Sequence, residues 1–146
     1  MDVLGIALRW AHIAGAILAA GGAAFIAFVM LPSMACLDEE GRRNLHEQVR
    51  RRFSKIYSFA ILLLLVSGIY NYVFKEMAAH KGQSLYHALM GVKILLAMVV
   101  FFLGSVLLGQ SPAFEGLRAK RKLYIRLNLF LIAIIVAIGA ILRSMT

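Results

Sequence analysis

Four stretches of the chain are apolar almost without interruption: residues 3–31, 56–74, 85–109 and 123–142. Each is close to or above the ~20 residues that an α-helix needs to cross a bilayer. Membrane strands would instead show ~10-residue segments of alternating polarity, and none is visible. The pattern predicts an all-α fold, an integral membrane four-helix bundle forming a single transmembrane domain over residues 1–146. The first run is too long for a secretory leader and starts beside acidic Asp2 rather than a basic segment, so it reads as helix one.

The polar segments between the runs set the connections. Pro32 predicts that helix one ends at Leu31. The segment 36-CLDEEGRRNLHEQVRRRFSK-55 predicts a short cytoplasmic amphipathic helix between helices one and two. Asp38, Glu39 and Glu40 suit its first turn and Arg50 to Arg52 its last. Residues 75–84 form a short external loop, and residues 110–122 a cytoplasmic one broken by Pro112 and Gly116.

Composition supports the membrane reading, with 62% hydrophobic residues and a mean hydropathy of +0.82. Soluble domains are nearer half apolar. The net charge of +9 suggests nucleic acid only until the charges are placed. Eleven of the sixteen basic residues fall in or beside two alternate loops, from Arg42 to Lys55 and from Arg118 to Arg126. Cytoplasmic loops carry such an excess, which puts both termini outside an inner (plasma) membrane. The charge is then topology and attraction to anionic lipid in the bilayer, with no nucleic-acid partner implied. The lone Cys36 excludes an internal disulfide framework.

Candidate chemistry starts from 84-SLYHALMGVKILLAMVVF-101, where Lys93 interrupts a membrane run. An intramembrane ammonium is costly unless its charge is offset. Asp2, Asp38, Glu39, Glu40, Glu47, Glu76 and Glu115 all fall outside the four runs, so no carboxylate partner is expected within a span. Lys93 is left neutral, snorkelling, or facing an anionic ligand. His12 and Lys93 each lie about eight residues inside their helix ends, which places both roughly 12 Å below the outer surface. Arg9, Tyr86, His87 and Arg143 fall toward the same end. His12, Gly15, Ala16, Ala19, Gly22 and Ala23 form a helical stripe of small residues below the histidine. Such stripes let membrane helices approach closely, and this one also leaves room for a flat ligand.

A flat apolar ligand carrying carboxylates suits this set. Haem b and its porphyrin precursors have that form, with His12 and His87 as candidate iron ligands and Arg9, Lys93 and Arg143 for the propionates. A rival reading is copper binding or transport across the membrane, with His12 outside and, at the other face, 29-VMLPSMAC-36 gathering Met30, Met34 and Cys36, soft ligands suited to copper(I). A cofactor-free assembly subunit is a third class. Glycine-rich helix faces also leave a homodimer open.

At these residues the chain resembles a known family. The segment 9-RWAHIAGAILAAGG-22 resembles the first helix of the copper-resistance protein D family, with a histidine ahead of a double glycine. The segments 52-RFSKIYSFAILLLLVSGIYN-71 and 86-YHALMGVKILL-96 resemble its second and third helices. The same histidine-and-lysine skeleton occurs in the related membrane protoporphyrinogen oxidases. That resemblance implies haem b binding, an oxidoreductase activity, and essential roles at the positions of His12 and Lys93. Two places depart from the oxidase pattern. Gly91 stands where a histidine precedes the lysine, the nearest histidine being His87, and Leu129 and Phe130 follow Asn128 where an acid is expected. These differences bear on the oxidase activity more than on haem binding.

Overall fold

The computed structural model describes residues 2–145, and no strand occurs among them. Four helical segments are long and apolar enough to cross a membrane: Val3–Cys36, Glu39–Ala79, Ser84–Leu108 and Arg121–Ser144. They are the first to fourth spans below. Large apolar side chains such as Trp10, Phe28, Leu62 and Phe130 point outward, a surface suited to hydrocarbon rather than water.

The first span does not stop at Pro32. A π-helical turn at Ile26–Met30 precedes the proline, and the Leu31 amide donates to the Ile26 carbonyl five residues back. The widened turn changes the local register, and the helix continues through Leu31–Ser33 and a 3₁₀ turn at Met34–Cys36. Proline is tolerated in membrane helices where local π or 3₁₀ adjustment reassigns the backbone bonds it disrupts.

The amphipathic segment between the first two spans is not a separate helix. A single α-helix runs from Glu39 to Asn71 and joins the charged segment to the second apolar run. Its start follows the sequence reading, since Asp38 caps it by accepting from the Gly41 amide at 2.7 Å, with Glu39 and Glu40 in the first turn. Nothing between Lys55 and Ile56 breaks a helix, so the polar and apolar halves stay continuous. A second π-helical turn, Tyr72–Glu76, carries this span beyond Phe74 to Ala79. The chain then reverses through Gly82, whose φ of +87° lies in the region glycine adopts without strain.

The spans associate as two pairs, first with second and third with fourth. The small-residue stripe explains the first pair. A Cβ on Gly15 would lie 3.0 Å from the Ala60 carbonyl oxygen, and one on Gly22 would run into the Phe53 ring. Without hydrophobic driving force between helices in lipid, such close backbone approach supplies the packing. The third span is drawn to the second at Gly104, where a Cβ would collide with the Tyr57 hydroxyl, and that hydroxyl donates to the Val100 carbonyl at 3.1 Å. Elsewhere the pairs separate and leave space between them.

Candidate functional site

The space between the two pairs is a cavity of about 520 Å³ lined by all four spans. It lies toward the end of the bundle that carries both termini and the Gly82 turn. The first span presents Arg9, His12 and Ala16 to it, a helical 3–4 spacing. The third presents Tyr86, Met90 and Lys93 by the same rule. The volume lies within the ~300–1,000 Å³ typical of small-molecule sites, and the walls are mainly apolar with a few polar groups.

His12 is held in one orientation. Its Nδ1 lies 3.0 Å from Ser67 Oγ, while the serine hydroxyl also makes a short hydrogen bond to the Leu63 carbonyl. A hydroxyl has one proton, and the carbonyl can only accept it. Ser67 therefore accepts from Nδ1–H, which leaves the Nε2 lone pair of the neutral ring without that proton. This is the arrangement by which an outer hydrogen bond fixes the tautomer of a metal-binding histidine. Two glycines of the cavity wall lie beside its basic groups, and only at Gly68 would a Cβ be tight. A Cβ on Gly68 would sit 3.3 Å from His12 Cε1, and one on Gly139 would sit 3.7 Å from Lys93 Nζ.

Lys93 is partly buried and makes no hydrogen bond or ion pair among the described residues. A carboxylate nevertheless shares its cavity. Glu76 lies in the π-helical turn of the second span and lines the same space, contrary to the expectation that all acids lie outside the spans. The physical reason is the helix extension past Phe74, which carries Lys75 and Glu76 into the bundle's end. Glu76 Oε2 accepts from the Tyr86 hydroxyl at 2.9 Å and lies 3.3 Å from His80 Nδ1. The His80 ring stacks on Tyr86 with centroids 3.6 Å apart and planes 1° from parallel.

The other sequence candidates are placed as follows. Arg143 lines the cavity with Arg9 and Lys93, so three cationic side chains face one carboxylate there. His87 does not line it. Both its ring nitrogens are engaged, Nδ1 with the Tyr72 hydroxyl at 3.0 Å and Nε2 with the His80 carbonyl at 3.0 Å. At the opposite end, Met30 and Met34 pack in an apolar cluster with Ile26, Leu107 and Ile125. Cys36 is exposed, and its thiol donates to the Ser33 carbonyl at 3.1 Å. Among the described residues no group of three or more histidine, cysteine, aspartate or glutamate side chains is placed to hold a metal ion. An iron held by a macrocycle asks less of the protein, since one axial imidazole suffices.

Sequence reasoning missed Glu76, Tyr72 and His80, and the two cavity glycines. For the first three a signal was present. The segment 70-YNYVFKEMAAH-80 contains no breaker, and helical counting past Phe74 would have put Tyr72, Glu76 and His80 on one face.

Comparison with protein-family models, with curated proteins and with solved structures gives no match for this chain.

Proposed function

We propose that this protein binds haem b or a related carboxylate-bearing tetrapyrrole in the cavity between its helix pairs, as an integral protein of the plasma membrane with both termini outside. The observation that carries this reading is His12, fixed through Nδ1 by Ser67 within a cavity of about 520 Å³ that Arg9 and Lys93 also line. The fit is chemical as well as volumetric. The apolar walls suit a macrocycle, Gly68 leaves room beside His12, and the cations suit propionates.

His12 Nε2 would hold the iron. Lys93 and Arg9 would orient and neutralise the carboxylates, a role that would account for a lysine interrupting a membrane run. Glu76 brings one negative charge to the cavity, which the three cations lining it outnumber, and its Oε2 is oriented by the Tyr86 hydroxyl. When bound, haem supplies one-electron redox chemistry; the protein supplies orientation, charge compensation and exclusion of water. The resemblance to the membrane protoporphyrinogen oxidases makes an oxidoreductase role the natural extension.

The test is a visible spectrum of detergent-purified protein expressed with haem supplied. The expected result is a Soret band that changes or vanishes in His12→Ala. A wild type without a Soret band, or a His12→Ala spectrum identical to wild type, would overturn the reading.

A further inference from the structure

A second cavity, of about 50 Å³, lies at the other end of the bundle, where the two basic loops meet. Three side-chain atoms buried without a hydrogen-bond partner are found among the described residues: His46 Nε2, Arg121 Nε and Asn128 Oδ1. All three residues line this cavity. Buried polar groups are normally paired, so orphans that gather at one place point to something that belongs between them. Asn128 is only 3% exposed.

The neighbouring cations already have structural partners. Arg50 donates to both Glu47 carboxylate oxygens and to the Leu108 carbonyl at 2.9 Å. Arg118 bonds the Val106 and Ser111 carbonyls near the end of the third span. Arg121 has no such role. It opens the fourth span, whose first turn has no side-chain cap. A guanidinium at a helix start favours an anion.

We propose that this cavity is a binding site for a phosphate group, supplied in the bilayer by the headgroup of an anionic phospholipid. Arg121 Nε–H and the Nε2–H of His46, in the tautomer that carries its proton there, donate to the phosphate oxygens. Asn128 lies two turns deeper along the fourth span, and its carboxamide reaches the group through an ordered water, which can donate to Oδ1. Water could satisfy the three atoms, but a phosphate also supplies an anion to Arg121, which makes no carboxylate ion pair among the described residues. The volume admits a compact group and excludes anything of the size that the larger cavity accepts. The wall beside it is the apolar cluster of Ile26, Met30, Leu107 and Ile125, which suits the start of an acyl chain. Basic pockets between spans bind anionic headgroups by this combination of charge and apolar surface.

The experiment compares the full chain in nanodiscs of phosphatidylcholine with and without phosphatidylglycerol, and in detergent with and without inorganic phosphate. Phosphatidylglycerol should raise the unfolding temperature of the wild type by about 5 °C, the size expected for a saturated site on a chain of this length. Arg121→Gln and His46→Gln should lose that increment, while Lys122→Gln, an exposed neighbour, should keep it. ³¹P NMR of delipidated wild type should show retained phospholipid, a readout that needs no variant. Stabilisation by inorganic phosphate in detergent that Arg121→Gln abolishes also supports the site, and assigns it to the free ion when phosphatidylglycerol adds nothing. Equal responses of Arg121→Gln and Lys122→Gln, or no response to either source, would overturn the proposal and leave the cavity to water.

Discussion

Tyr86 on the third span donates its hydroxyl proton to the Glu76 carboxylate on the second, across 2.9 Å. This contact links the two helix pairs at the termini end and brings an acid to the cavity of Lys93. Because Tyr86 is 2% exposed, removing its hydroxyl strands a partly buried carboxylate. Tyr86→Phe should lower stability by about 1–2 kcal/mol in detergent unfolding. Glu76→Gln should cost less in a Tyr86→Phe background than in wild type, and additive effects would show that the two groups are not coupled.

Lys93→Met keeps the length and apolarity of the side chain while deleting its charge. It should lower haem occupancy and preserve the spectral type of the fraction that remains, because it acts on carboxylates rather than on iron. Ser67→Ala releases His12 Nδ1, and should weaken haem retention roughly 10- to 100-fold without abolishing the Soret band. Haem titration of the apoprotein measures both. Wild-type affinity and occupancy in both variants would remove Lys93 and Ser67 from the site.

The close approach of the second and third spans depends on Gly104. An added Cβ would meet the Tyr57 hydroxyl and ring, so Gly104→Ala should destabilise by about 1–3 kcal/mol through overpacking. Gly21, which has nothing near its Cβ position, provides the control, and Gly21→Ala should be neutral or stabilising. Equal effects of the two changes would mean that the spans are not in contact at Gly104.

Topology is checked by thiol labelling in a Cys36→Ser background. Cysteines in place of Gln83 and Gly116 are both exposed at opposite ends of the bundle. The basic-loop bias predicts that Gln83→Cys labels in intact cells with a membrane-impermeant reagent and that Gly116→Cys does not. The reverse result would invert the orientation proposed for the cavity of His12 and Lys93.

The Asp2 carboxylate accepts from Lys75 Nζ and, at 3.0 Å, from the Gly5 amide, which ties the chain's start to the second span. The hydrogen bond from Lys75, followed by that from Gly5, holds its carboxyl below the usual carboxylate range. A depressed folded pKa stabilises the fold above the unfolded value and loses that contribution as pH falls through the folded one. A ¹³C NMR titration of Asp2 should therefore give a midpoint below that of a model peptide, and Lys75→Met should raise it. An unchanged midpoint in the variant would show that the pair does not form in solution.

The four membrane segments were legible in the sequence because burial in lipid imposes a length and polarity that no soluble helix needs. That His12 and Lys93 line one cavity accords with counting residues along helices of fixed rise. Continuity was harder to read. Pro32 signals a stop by local sterics, but the π-helical turn at Ile26–Met30 carries the helix past it. Local rules likewise split the segment around Lys55 into two helices, although the chain has no breaker there. The tertiary structure alone decided which side chains meet. Glu76 joins the Lys93 cavity because a second π-helical turn extends the span, and Ser67 sets the His12 tautomer across an interface between two helices. The stripe of small residues in the first span was visible as a pattern, but its use was not. Gly15 and Gly22 went to close packing while Ala16 went to the cavity wall, because rotation of one helix against its neighbours is fixed by contacts distant in sequence.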